Sequence, residues 1–268
     1  MKNNVPISSA RKMLNKVPEI TLFFWIIKIL STTVGETGAD LIDESFNIGL
    51  DGLTLIFGTV LVVTLVFQFK SRKYIPGIYW LTVVLISVVG TLITDDLTDN
   101  YEIPLEITTV VFTILLAATF AVWYKKEKTL SIHAVDTTKR EAYYWIAILF
   151  TFSLGTAAGD LLSETLEFGY LVSIAIFGMM IAAVAISHFG FKLYTVAAFW
   201  IVYILTRPLG ASVGDYLSQD LESGGMGLGS EITSVIFLAI IFATVVYLSV
   251  TKKDVIENSY THDDLMNK

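Results

Sequence analysis

The chain contains no cysteine among its 268 residues, which excludes disulfides, zinc–thiolate sites, iron–sulfur clusters and thiol catalysis. It has three histidines, too few for a histidine-rich metal site. Charged residues make up 16% of the chain, against about 25% in an average soluble domain. The net charge of −7 provides no basic field for nucleic acid. Phosphate-loop, G-x-S-x-G, HExxH and dinucleotide motifs are missing as well, so we expect no enzyme activity.

What the chain has instead is apolar length. Hydrophobic residues make up 54% of it, and the mean hydropathy is +0.67. A membrane-spanning helix needs about 20 mostly apolar residues, and eight stretches satisfy this. We place them at 20–40, 50–69, 75–94, 104–124, 143–162, 169–189, 194–214 and 230–250. The composition therefore predicts an all-α membrane protein with eight transmembrane helices, the first of which is an anchor rather than a cleaved signal peptide.

Basic residues are distributed unevenly between the connections. All Lys and Arg except Lys28 and Arg207 lie at the N-terminus, in the even-numbered connections or at the C-terminus. They are Lys2, Arg11, Lys12, Lys16, Lys70, Arg72, Lys73, Lys125, Lys126, Lys128, Lys139, Arg140, Lys192, Lys252, Lys253 and Lys268. The positive-inside rule therefore predicts a multi-pass protein of the inner (plasma) membrane with both termini in the cytoplasm.

A four-fold internal repeat, W-x9-G-x4-D, organises the chain. The repeated residues are Trp25, Trp80, Trp145 and Trp200, then Gly35, Gly90, Gly155 and Gly210, then Asp40, Asp95, Asp160 and Asp215. Each copy holds two spans, so the copies are expected to be parallel rather than inverted. A cytoplasmic linker at 125–141 divides the chain into a first half at 20–124 and a second half at 142–250.

The repeat also predicts where its residues lie. Small residues four positions after each Gly favour close helix packing, so we expect the odd-numbered helices at the centre and the even-numbered ones outside. Such faces suit packing within one chain or across a homodimer. We expect the Trp residues in an aromatic belt at the inner interface. At about 1.5 Å per residue, each Asp lies about 22 Å further along, in one layer near the outer face.

The Asp layer is the first candidate site. Four carboxylates at one level repel each other, and a hard divalent cation with oxygen ligands would relieve that repulsion. Each Asp comes at the end of its apolar run, where the helix dipole disfavours an anion unless something compensates it. Glu36, next to Gly35, would join Asp40, Asp95, Asp160 and Asp215 as a metal or substrate ligand. The alternative is a set of interfacial acids that face only water.

Two buried cations break the repeat. Lys28 and Arg207 are the basic residues inside spans, and neither recurs in the other copies. We assign both to the substrate site as internal counter-charges, because charges inside a membrane usually mark function. Alternatively they form structural ion pairs with Glu36 or a layer Asp, or Lys28 extends to the interface. Pro208, next to Arg207, is expected to kink its helix.

Through the four Trp residues and the Gly and Asp positions that follow them, the chain resembles a family of bacterial integral membrane proteins built from a tandem repeat of unknown function. The resemblance covers residues 20–250. It implies four copies of two membrane spans, each with a characteristic Trp, and it implies no particular activity.

We therefore expect a transporter in the lipid bilayer, with a small cation as its substrate in a carboxylate-lined central cavity near the outer face. A divalent metal ion is the best candidate, as substrate rather than as resident cofactor. One alternative is proton-coupled transport of a small anion held by Lys28 and Arg207. The other is a non-transporting sensor or scaffold, whose core would be dry and fully ion-paired.

Overall fold

The computed structural model describes residues 15–46 and 49–255, and within them it contains helices and no β-strand. Each predicted span corresponds to one long helix. These are α1 (Leu22–Phe46), α2 (Leu50–Lys70), α3 (Pro76–Asp95), α4 (Leu105–Glu127), α5 (Thr138–Asp160), α6 (Tyr170–Phe191), α7 (Thr195–Ser218) and α8 (Ser230–Thr251). Of the basic residues used above, Lys2, Arg11, Lys12 and Lys268 lie outside the described residues.

Among the described helices, the seven from α2 to α8 are long and apolar enough to cross a membrane, and α1 is not among them. This differs from the expected eight apolar spans. The reason is that α1 carries polar side chains on the faces that it buries against the protein, including Lys28, Thr32 and Glu36. A helix that is enclosed by other helices does not need an apolar surface.

Glycines mark three of the sharp reversals between an odd and an even helix. Gly49, Gly169 and Gly229 precede α2, α6 and α8, with φ angles of 77°, 73° and 81°. Only glycine adopts such angles without a steric penalty from Cβ. In the second repeat the corresponding residue is Pro104, which has φ of −55° and introduces α4 from an extended backbone.

The odd helices form a closed central ring. Helix α1 packs on α3 and α7, and α5 packs on the same two neighbours. The even helices lie outside, with α2 on α3, α4 on α5, α6 on α7 and α8 on α1. Each outer helix thus packs mainly on the inner helix of the next repeat rather than on that of its own. Helices from both halves of the chain therefore belong to one bundle.

Aromatic contacts repeat around one end of the ring, which we call the Trp end. Each Trp contacts the aromatic residue that precedes the Trp of a neighbouring repeat, at centroid distances of 5.4 to 6.2 Å. The pairs are Trp25–Phe199, Trp80–Phe24, Trp145–Tyr79 and Trp200–Tyr144. Three of the four Trp are buried and Trp25 is half-buried. The Trp residues therefore lie at one level, as the repeat predicts, and their side chains pack between helices.

The repeated glycines make room for a side chain from the next repeat. A Cβ added to Gly35, Gly90 or Gly155 would overlap the residue seven positions after the following Trp, and a Cβ on Gly210 would overlap the corresponding residue of the first repeat. Those residues are Ser87, Phe152, Arg207 and Thr32. The contacts close a complete circle, so the glycines hold the inner helices at close approach.

The segment before α1 closes the Trp end. Lys16 and Val17 are almost fully buried there. The Lys16 Nζ lies 2.6 Å from the Glu141 carboxylate and donates to the Phe69 carbonyl at 3.0 Å. Gln68 donates to the other Glu141 oxygen. This buried ion pair joins the N-terminal segment to the C-terminus of α2 and the first turn of α5.

Candidate functional site

A cavity of about 220 Å³ opens at the other end of the ring, which we call the Asp end. It is lined mainly by the inner helices and the turns that follow them. The lining residues are Glu36, Ala39, Asp40, Leu50, Asp95, Thr98, Asp99, Leu105, Asp160, Glu164, Asp215 and Gln219. All four repeated Asp residues and Glu36 are among them, so the structure brings the predicted acids to one cavity.

Although each repeated Asp comes at the end of its apolar run, the helical backbone continues beyond it. Helix α1 extends six residues past Asp40 and α7 ends three residues past Asp215. After Asp95 and Asp160 the chain continues as π-helical turns, Asp96–Asn100 and Leu161–Thr165. The free carbonyls at the helix ends consequently lie further out than the carboxylates, which reduces the repulsion that the dipole would otherwise exert.

Three carboxylates converge on one point of the cavity. One oxygen each from Glu36, Asp160 and Asp215 lies within 4.8 Å of the others. Oxygen ligands of Ca²⁺ lie about 2.3–2.6 Å from the ion, so two ligands on opposite sides of it are about 4.6–5.2 Å apart. The three oxygens therefore lie at a spacing that a single hard cation can bridge.

Most of these acids have no compensating partner. Within the described residues, the side chains of Asp95, Asp160 and Asp215 make no hydrogen bond and no salt bridge. Asp215 is buried, and Asp95 and Asp160 are half-buried. Burying carboxylates without a partner is expensive, and membrane proteins reserve such groups for sites that bind or move ions.

Arg207 does not line the cavity itself but binds Glu36, which does, and we call this ion pair the floor of the cavity. Its guanidinium is fully buried and donates from both terminal nitrogens to Glu36 Oε2, each at 3.0 Å. The same group donates to Thr91 Oγ1 at 2.5 Å and to Thr156 Oγ1 at 2.6 Å. Its carbon Cζ lies 5.6 Å from the centre of the Phe152 ring. The sequence offered an ion pair with Glu36 as one interpretation of Arg207, and the structure contains it.

Lys28 does not reach the cavity. Its ammonium is fully buried on the Trp side of Arg207, 4.5 Å from the ring centres of both Phe152 and Tyr203. Among the described residues, no hydrogen-bond acceptor contacts it. It forms neither the expected pair with an acid nor an extension to the interface. Phe152 lies between the two cations and contacts both.

Two site residues were missed at the sequence level. Thr91 and Thr156 occupy the position of Glu36 in the second and third repeats, and the fourth repeat has Ala211 there. When the four copies are aligned, the acid Glu36 is conspicuous at this position, and the two uncharged threonines are not. The Phe or Tyr directly before each Trp was a second overlooked signal, present in all four copies.

Pro208 follows Arg207 inside α7, which is continuous from Thr195 to Ser218. Its ring lies against Gly155 and its backbone against Gly159. The two glycines of α5 therefore let α7 approach closely at the level of the ion pair.

Comparison with known proteins agrees with this repeat architecture. The family model described as Repeat of Unknown Function (DUF347) matches four times in tandem, at residues 23–74, 78–129, 143–194 and 198–254. The chain belongs to this family. Each match covers one inner helix and the outer helix that follows it. Neither a curated protein nor a solved structure matches the chain.

Proposed function

We propose that this DUF347 protein is a membrane transporter that binds a cationic substrate in the carboxylate cavity at the Asp end. A divalent metal ion is the substrate class that fits best. The observation that carries the proposal is the convergence of Glu36, Asp160 and Asp215 on one point, with two of the three carboxylates unpartnered.

Charge balance favours a divalent ion over a monovalent one. Three ionised carboxylates and the Arg207 guanidinium, which contacts one of them, carry a formal charge of −2. One divalent cation neutralises this set. Asp95 and Asp40 line the same cavity and add further negative charge around the point of convergence.

The orientation follows from the basic residues. Lys70, Arg72, Lys73, Lys125 and Lys126 belong to the Trp end of the bundle or to the connections beyond it. By the positive-inside rule that end and both termini are cytoplasmic, and the cavity faces outward. In this orientation the cavity would receive its substrate from outside the cell.

The alternatives draw less support from the same contacts. A small anion held by Lys28 and Arg207 would need two available cations. Arg207 is already bound to Glu36, and Lys28 does not line the cavity. A sensor or scaffold with a dry, fully ion-paired core would not need a cavity lined by Asp160 and Asp215, whose side chains make no hydrogen bond or salt bridge within the described residues.

The test is cation binding to the purified full-length protein. A ligand that binds only the folded state raises the melting temperature as its concentration increases. We expect a saturable increase with Mn²⁺, Mg²⁺, Ca²⁺, Co²⁺ or Zn²⁺, and none with small organic anions. The double variant Asp160→Asn/Asp215→Asn should abolish the increase.

Asp96→Asn is the matched control, because Asp96 is an acid at the same level that does not line the cavity. It should leave the increase unchanged. A metal that passes this test should then enter liposomes that contain the wild-type protein, and not those that contain the double variant. No saturable response to any metal, or a response that survives the double substitution, would refute the proposal.

A further inference from the structure

One carboxylate of the cavity already binds a cationic group. Both terminal nitrogens of Arg207 donate to Glu36 Oε2, at 3.0 Å each, and this carboxylate belongs to the group of three that converges on the cavity. Glu36 comes from α1 and Arg207 from α7, so the ion pair also links two inner helices across the floor. A cation that coordinates both oxygens of the Glu36 carboxylate must therefore compete with the guanidinium.

We infer that Arg207 is a tethered competitor of the substrate cation: it holds Glu36 in the empty protein and is displaced from it when the cation binds. This inference rests on the proposed function and specifies how the same site is regulated. It assigns Arg207 a positioning role, in which it sets affinity and keeps the floor closed without touching the substrate.

The surroundings of Arg207 allow it to leave Glu36 without becoming isolated. Its NH2 group retains Thr91 and Thr156 as acceptors, and NH1 lies 3.4 Å from the Thr32 carbonyl. The Phe152 ring supports the guanidinium from the Trp side. Release therefore breaks the charge-assisted interaction with Glu36, while three neutral acceptors and a cation–π contact remain. Thr91 and Thr156 occupy the positions that correspond to Glu36 in the second and third repeats, so they lie beside the floor.

The location of Arg207 also relates this competition to the route of a cation along the axis of the ring. On its Trp side lie Phe152, Lys28, Tyr203 and the aromatic ring of the Trp end. A cation that enters from the Asp end thus meets the carboxylates of the cavity, and Arg207 is bound to one of them, Glu36. Displacement of the guanidinium from Glu36 would be the first change in the floor, and it would depend on occupancy of the site.

The experiment compares Mn²⁺ affinity in wild type, Arg207→Gln, Arg207→Lys and Lys28→Met, measured by titration calorimetry on the full-length protein in detergent. We expect Arg207→Gln to bind Mn²⁺ at least about tenfold more tightly, because the competitor is gone. Arg207→Lys should bind more tightly than wild type by a smaller factor, because one ammonium cannot reproduce both bonds to Oε2 and those to the threonines.

Lys28→Met is the matched control, because it removes a second buried positive charge on the same axis that does not contact Glu36. Its affinity should change much less than that of Arg207→Gln. A second check uses the neutral background Glu36→Gln, in which Arg207→Gln should no longer tighten binding. Removing both charges together also avoids leaving one of them buried alone.

The outcomes separate the two proposals. If the wild type binds no metal, the proposed function fails. If the wild type binds Mn²⁺ but folded Arg207→Gln binds equally or more weakly, only the competition is refuted. Equal tightening by Lys28→Met would also refute it, since general repulsion would then explain the effect. Should Arg207→Gln fail to fold, Arg207→Lys decides: unchanged or weaker affinity overturns the inference.

Discussion

The closed circle of glycine contacts makes a quantitative prediction about single methyl groups. At Gly90 an added Cβ would lie 2.9 Å from Phe152 Cβ and 3.2 Å from the Ser153 backbone nitrogen. Neither atom is the far end of a flexible side chain, so α3 and α5 would have to separate. Overpacking of this kind costs about 1–3 kcal/mol. Replacing a helical Gly by Ala returns up to about 1 kcal/mol, so we expect a net loss of up to about 2 kcal/mol for Gly90→Ala.

Gly58 and Gly178 provide the matched comparison. Both lie within outer helices, and an added Cβ would meet nothing within 4 Å at either position. Gly58→Ala and Gly178→Ala should therefore gain about 0.5–1 kcal/mol from helix propensity alone.

The assay is thermal unfolding of the three variants and the wild type in one detergent. We expect a lower melting temperature for Gly90→Ala and a higher one for the two outer-helix variants. If Gly90→Ala is as stable as the outer-helix variants, the inner helices are not held at the close approach that the structure shows.

Two further predictions concern the Trp end. Lys16→Met should destabilise the protein by about 3–5 kcal/mol, because it leaves the buried Glu141 carboxylate without its cation. In denaturant or thermal unfolding, the double variant Lys16→Met/Glu141→Gln should recover much of this loss. If it recovers none, the ion pair does not explain the destabilisation. Burial raises the pKa of the Asp254 carboxyl, which accepts a hydrogen bond from Tyr74. The folded state therefore holds this proton more tightly than the unfolded chain, so its stability contribution is complete below the ordinary pKa of about 3.9 and decreases as pH rises through the raised pKa. Asp254→Asn should flatten this part of the melting-temperature profile, and an unchanged slope would refute the assignment.

Much of the architecture was predictable because the repeat occurs in the sequence four times with the same residues at the same spacing. A Trp, a Gly and an Asp at fixed spacing locate the inner helices, and the small residues after each Gly indicate that these helices meet. The structure agrees on both points. Period and composition are local properties of the chain, so they can be interpreted without knowledge of long-range contacts.

Contacts between repeats were the part that sequence could not supply. Each outer helix packs on the inner helix of the next repeat, and nothing in a repeated pattern distinguishes that partner from the helix in its own copy. The same limit applies to the Trp residues, since a Trp exposed at the interface and a Trp buried between helices share one sequence signature. The pair of Lys16 and Glu141 joins residues that are 125 positions apart and carries no local signal.

The relation between symmetry and chemistry in this fold follows from the glycine contacts. Each repeated Gly receives the residue seven positions after a Trp, and that residue is Thr32, Ser87, Phe152 or Arg207. Because Gly presents no side chain, the close approach accommodates a hydroxyl, an aromatic ring or a guanidinium at this position. The ring therefore stays closed while the residues that it directs toward the axis differ.

The same freedom holds four positions later, where Glu36 faces two threonines and an alanine. A fully symmetric ring with four glutamates at that level would place four buried like charges together, which the low-polarity interior disfavours. One Glu opposite one Arg, with Thr91 and Thr156 as neutral acceptors, gives both terminal nitrogens of the buried guanidinium an acceptor without placing like charges together. The repeated glycines thus hold the inner helices together, and the cavity combines the repeated Asp residues with one Glu that occurs in a single copy.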